Sequence, residues 1–285
     1  MRVAFIARST LKSVSGGDTT QVLQTAGNLQ DLLGIEVDIY SSSDQIDYSN
    51  YDLLHLFNVI RPADHLSHVS QSKTPYVISP IYVDYHDFDT RGRIGISGFV
   101  FNILGKNWSE YAKNMARYLK GQDKPAARQY FLGHKRAVKS LLKGASCVLP
   151  NSLSEWNRLL VDYKTPGPFH IVPNGIDESL FSDAGNQSRR KKTVLCVGQL
   201  YGRKNQHRLI MACKELGLPL TLVGRTPPNH TAYLDYCKSL AQDSEVQFYD
   251  FMPQEELKSI YQSSYVHVLP SWFETTGLTS LEAGA

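Results

Sequence analysis

Short β-rich runs alternate with longer amphipathic stretches from one end of this chain to the other, and that alternation restricts the fold most. In the first half, the runs at 2–8, 36–40, 53–57, 76–81 and 146–149 predict strands, with a further one at 170–172. In the second half the pattern returns at 193–197, 220–223, 246–251 and 265–269. Helical periodicity fills the gaps at 19–33, 126–142, 206–216, 233–240 and 255–263. This order predicts parallel sheets covered by helices on both faces. A break falls at Pro173-Asn174-Gly175-Ile176-Asp177, a turn-forming sequence followed by the polar, basic stretch 182–192. The reading is therefore of two α/β, doubly wound domains, 1–173 and 174–285, and 285 residues suffice for a core in each.

Composition narrows the function classes. With 42% hydrophobic and 20% charged residues the chain is globular, and a net charge of +3 gives no footprint for nucleic acid. Cys147, Cys196, Cys213 and Cys237 form no C-x-x-C pair, which argues for a reducing cytoplasm and against structural zinc. The apolar run at the N-terminus is too short for a signal peptide, and no window is long enough to cross a bilayer.

The chemistry concentrates near the C-terminus. After the strand at 265–269 comes Phe273-Glu274-Thr275-Thr276-Gly277-Leu278-Thr279-Ser280-Leu281-Glu282-Ala283-Gly284-Ala285. Two carboxylates stand eight positions apart, with a glycine turn behind the first. A helix starting near Thr275 or Thr276 would offer unpartnered amides to an anion. Glu274 would stand just outside it and Glu282 about two turns in. That layout suits a phosphate flanked by hydroxyls, as in a nucleotide sugar.

The string resembles the E-x7-E element of retaining glycosyltransferases of family 4, which have the GT-B fold of two Rossmann-like domains facing across a cleft. The resemblance covers essentially the whole chain. It implies that Glu274 approaches the donor sugar, that Glu282 holds the ribose, and that amides of Thr275, Thr276, Gly277 and Leu278 take the diphosphate. It also implies retention at the anomeric carbon. Family members continue beyond the Leu-Glu-Ala element, so a chain stopping at Ala285 reads as having an incomplete, truncated second domain.

Other segments extend the same reading. The pair Gly16-Gly17 follows the first strand and permits positive φ and close approach of an anion; in the family such a loop lies near the donor phosphates. In Gly198-Gln199-Leu200-Tyr201-Gly202-Arg203-Lys204, Lys204 matches the family lysine that neutralises the diphosphate. Gln199 stands where an arginine is usual, and Arg203 or Arg225 could supply that charge. His86 is the candidate for the family histidine beside the donor sugar, with Asp84 and Asp87 as competitors, and Asn58 is a weaker candidate on the acceptor side. Ser152-Leu153-Ser154-Glu155 reads as a structural capping box. Residues 89–128 mix basic and aromatic side chains, as a solvated helical pair or as a surface that meets anionic lipid at the cytoplasmic face.

The resulting expectation is transfer of a sugar from a nucleotide-diphosphate donor to a glycan or lipid-linked acceptor, in surface polysaccharide or glycolipid synthesis. Lys204 carries the charge, and neither metal nor other cofactor is needed. The alternatives are a non-hydrolysing nucleotide-sugar epimerase and an inactive nucleotide-sugar-binding protein.

Overall fold

The computed structural model describes residues 1–11, 16–83, 133–165, 167–181 and 192–285. The described residues fall into two compact units, one closing at Asn174 and the other opening at Gly175.

The first unit holds β1 (Arg2–Ala7), β2 (Glu36–Ser41), β3 (Leu53–Phe57), β4 (Tyr76–Ser79) and β5 (Cys147–Val148) in one sheet of order β2-β1-β3-β4-β5. Every pairing in it is parallel. Helices α1 (Gly17–Leu33), α2 (Ala63–Gln71), α3 (His134–Gly144) and α4 (Leu153–Tyr163) accompany it. Val3, Phe5 and Ala7 point to one face of β1 and pack with Val22 and Ala26 of α1. Ala4 and Ile6, on the opposite face, are equally buried. Burial on both faces is why an interior parallel strand reads as an unbroken apolar run.

Three expectations are corrected here. The run at 170–172 is not a strand: an isolated bridge joins Val148 to Phe169, and His170 and Val172 donate from the backbone to Val148 and Pro150. Strand β4 ends at Ser79, because Pro80 has no N–H to donate and Ile81 lies at φ 45°. The box at 152–155 is only half formed. Ser152 Oγ accepts from the Glu155 amide, but the Glu155 carboxylate accepts instead from the amides of Tyr82 and Asn151, each at 2.5 Å. Helix α2 has no counterpart in the sequence reading because its buried face is polar, made of Asp64, His65 and His68 around Leu66.

Burial makes unit 1 sensitive to acid. His55 lies between Phe5 and Phe57 with its Nε2 2.8 Å from Ser79 Oγ, and desolvation holds its pKa down at about 3. His65 is held at about 4 by the same cause. An unfolded histidine takes up its proton near pH 6.5, so the unfolded state binds more protons between pH 6.5 and these lower values. Stability should therefore fall as the pH is lowered through that window, by about 2 kcal/mol from His55 alone between pH 7 and pH 5. Denaturant titrations at the two pH values check this, and His55→Gln should flatten the dependence by roughly that amount.

The second unit holds β6 (Val194–Val197), β7 (Leu220–Val223), β8 (Val246–Tyr249) and β9 (Val266–His267), again all parallel, in the order β8-β7-β6-β9. Its helices are α5 (Glu178–Phe181), α6 (Gln206–Leu216), α7 (Thr231–Leu240), α8 (Gln254–Ser263) and α9 (Leu278–Gly284). Leu209, Ile210 and Cys213 of α6 and Cys237 of α7 cover one face of the sheet, and Leu257 of α8 covers the other. Burial pushes the Cys196 thiol up to about 12, so it serves as a small apolar side chain. Strand β6 is followed in space by β7 on one side and by β9 on the other. That reversal makes a topological switch point, where open α/β sheets bind ligands beyond the strands' carboxyl ends.

His86, Asp84, Asp87 and the stretch 89–128 lie outside the described residues. Among the described residues no helix is long and apolar enough to cross a membrane.

Candidate functional site

The switch point of unit 2 brings together the loops that leave β6 and β9. Beyond β6 the chain runs through Gly198 and a single 3-10 turn at Gly202–Lys204 to Asn205, which at φ 60° turns directly into α6. Beyond β9 it runs through Pro270 to Glu274. Three contacts fasten the two loops. Asn205 Nδ2 donates to the Pro270 carbonyl at 3.1 Å, and the Trp272 amide donates to the Arg203 carbonyl at 3.0 Å. The Arg203 guanidinium lies 5.0 Å above the Phe273 ring and 5.1 Å from the Tyr201 ring. Arg203 is thus built into the wall of the loop pair, donating also to Tyr201 Oη.

This fastening sets Lys204 Nζ 2.5 Å from Glu274 Oε1, with the two side chains only 15% and 26% exposed. Residues seventy positions apart therefore share one charged contact at the place where the topology favours a ligand. Such a partly screened pair holds a cation and a carboxylate ready for exchange with a substrate that carries both an anion and hydroxyls.

Glu282 is 9% exposed on α9. Its Oε2 accepts from Tyr261 Oη at 2.8 Å, and Gln254 Nε2 approaches Oε1 at 3.5 Å. Desolvation raises its pKa, against the opposing pull of those two donors. Gln254 and Tyr261 went unnoticed in the sequence. Their spacing of seven on α8 puts them on one helix face two turns apart, which is the signal that would have found them.

The helix carrying Glu282 starts later than expected. Thr275 and Thr276 form a bend, Gly277 at φ 65° caps the helix, and Leu278 is the first helical residue. The left-handed conformation at Gly277 explains the delay, since the chain cannot turn helical before it. Glu282 then lies just over one turn in, and the Ser280 and Leu281 amides already bond the Gly277 carbonyl.

Residues 178–285 match the family described as Glycosyl transferases group 1. The whole chain is 25% identical to the D-inositol 3-phosphate glycosyltransferase of Corynebacterium glutamicum (strain R), of which it spans 78%. These similarities support a glycosyltransferase of the family 4 type. Its fold is GT-B. At 18% identity, 99% of it superposes on 78% of the sucrose-phosphate synthase of Thermosynechococcus elongatus with a TM-score of 0.73. The same share superposes on 78% of Anabaena HepE, solved with UDP and glucose, at 15% identity and a TM-score of 0.65.

The first unit of this glycosyltransferase has its own switch point between β1 and β3. Gly16 and Gly17 stand at the β1 side, where Gly16 caps α1 in an extended conformation at φ −159° and Gly17 is helical. Neither adopts positive φ, contrary to the expectation for a glycine pair. At Gly17 an added Cβ would meet nothing within 4 Å. Arg8, at the end of β1, binds Asp18 at 2.5 Å and Thr10 Oγ1 at 2.7 Å. At the β3 side Asn58 takes φ 75° and its Oδ1 accepts from the Ile60 amide, so its side chain is committed to the turn.

In unit 2, Arg225 does not join Lys204. It follows β7, lies 5.3 Å above the exposed Phe251 ring and 3.9 Å from Asp250. Gln199 contributes its backbone carbonyl, which accepts from the buried Gln206 Nε2 at 2.9 Å.

Proposed function

We propose that this glycosyltransferase moves a sugar from a nucleoside-diphosphate donor to a hydroxyl of a glycan or lipid-linked acceptor, with retention, in the assembly of surface polysaccharide or glycolipid. The observation that carries this reading is the meeting of Lys204 and Glu274 at the switch point of unit 2. When the bond between the anomeric carbon and the diphosphate oxygen breaks, its electrons stay on the diphosphate. The acceptor oxygen bonds the anomeric carbon, and its proton passes to the departing diphosphate. Lys204 faces the charge that develops on the leaving group, which is where a preorganised cation lowers the barrier. Glu274 orients the donor hexose through its hydroxyls, and Glu282 holds the ribose. The residues between Thr275 and Leu278 lie between those carboxylates, within reach of the diphosphate. Unit 1 serves the acceptor, with Gly16 and Gly17 as donor-phosphate residues by the family resemblance, and His86, outside the described residues, is the candidate for the family histidine that contacts the donor sugar. HepE, solved with UDP and glucose, supports a nucleoside-diphosphate hexose as donor. In this reading Lys204 and backbone amides supply the charge without a metal ion, and the protein works at the cytoplasmic face of a membrane through residues 89–128.

The test is incubation with UDP-, GDP- and ADP-hexoses, alone and with a lipid-linked glycan or with inositol 3-phosphate, the last suggested by the name of the corynebacterial relative. NMR should show a product that keeps the donor's anomeric configuration, formed equally well in EDTA. Lys204→Ala should lower kcat by about 10²–10³-fold. Conversion of the donor without acceptor would identify an epimerase instead, and binding without turnover on any acceptor would identify a binding protein.

A further inference from the structure

Glu282 is a nearly buried carboxylate whose two oxygens are each approached by one donor from α8: Tyr261 Oη at Oε2 and Gln254 Nε2 at Oε1. An ionised carboxylate offers about four acceptor positions, two on each oxygen. With one used on each side, one remains on each side, and that remainder matches a ligand presenting two adjacent hydroxyls. We propose that Tyr261, with Gln254 in support, is a positioning residue that fixes Glu282 for bidentate capture of a vicinal diol, so that the site selects ribose over 2′-deoxyribose. The proposal rests on the donor-site reading above and deepens it.

The surroundings of Tyr261 favour this role over simple core filling. Its ring stands edge-on to Phe181 and to His267, each at 5.9 Å between centroids. His267 is itself held by the Val197 amide, which donates to its Nε2 at 3.4 Å. Tyr261 also packs against the cluster of Leu195, Val197, Val223 and Leu257. The phenol is therefore fixed from several directions and directs its one polar atom at Glu282. Burial raises the tyrosine's pKa, so it remains a donor at every working pH. A free carboxylate on α9 would lose rotamer entropy on binding a diol; one already held by a rigid phenol loses less.

The experiment is calorimetric titration of the chain with UDP, GDP and ADP, each beside its 2′-deoxy counterpart. For the diphosphate that binds, the ribose form should bind about tenfold more tightly than the 2′-deoxy form, as expected for a hydrogen bond to a charged group. In Tyr261→Phe the ribose form should weaken to the level of the 2′-deoxy form, whose own affinity is unchanged. Glu282→Ala should abolish the discrimination as well. If Tyr261→Phe weakens both forms equally, the residue is merely structural and the inference fails while the donor-site reading stands. If it changes neither, the inference fails in the same way. If no diphosphate binds the wild type, the donor-site reading fails and takes the inference with it.

Discussion

Glu274→Gln should bind the cognate nucleoside diphosphate about tenfold more tightly than the wild type, while transferring sugar at least about a hundredfold more slowly. The reason lies in the ligand-free contact. Lys204 Nζ already has a carboxylate partner at 2.5 Å, with both side chains largely shielded from water. A diphosphate that claims the lysine must displace Glu274, so part of its binding free energy offsets the loss of that pair. An amide at 274 keeps the shape of the side chain but competes poorly for the ammonium. The same exchange explains why the pair suits catalysis. In the proposed reaction the diphosphate would take the lysine, and the released carboxylate would be free to orient the hexose, an interaction the amide cannot reproduce at full strength. Calorimetry with the diphosphate and initial rates with the full donor check the two halves separately. Weaker diphosphate binding in Glu274→Gln would show that the glutamate assists the diphosphate directly.

Gly224→Ala should destabilise the second unit by about 3 kcal/mol or more and abolish diphosphate binding. Gly224 ends β7 at φ 153°, a conformation side chains rarely adopt. A Cβ placed there would stand 2.1 Å from the Gly198 carbonyl oxygen and 2.6 Å from its carbon. These are backbone atoms and cannot rotate away. They are also pinned, since the Gly198 amide donates to the Val223 carbonyl at 2.8 Å and the Leu200 amide to the Arg225 carbonyl at 3.1 Å. Relief must therefore push apart the loops after β6 and β7, and the first of these carries Lys204. Gly27→Ala is the matched control. It lies within α1, nothing occupies the space its Cβ would fill, and the change should stabilise unit 1 by about 0.5–1 kcal/mol. Thermal denaturation of both variants beside the wild type measures the contrast.

Both parallel sheets were legible in the sequence because their interior strands are apolar on both faces, as Val3 to Ala7 and Val194 to Val197 show. Elements whose burial is polar were not. Helix α2 buries Asp64, His65 and His68, so its periodicity has no apolar stripe to announce it. The run at 170–172 has strand-like residues yet supports only backbone bonds to the end of β5. At the site, Lys204, Glu274 and Glu282 stood out through the resemblance to the family's motifs. Their contacts did not, because these depend on which strands become neighbours: Lys204 meets Glu274 only because β9 lies beside β6. For the same reason Arg203 and Arg225, alike as charges in the sequence, part company in space. One stacks on Phe273 beside the Lys204 loop, and the other on Phe251 after β7.

The central claim is that the loops after β6 and β9 hold a nucleoside diphosphate, and titration of the chain with UDP, GDP and ADP beside its Lys204→Ala variant tests it most directly. The account predicts saturable binding of at least one diphosphate by the wild type, weakened about a hundredfold or more in Lys204→Ala at a temperature where thermal denaturation shows both proteins folded. Equal affinity in the two proteins, or no binding to either, would contradict it.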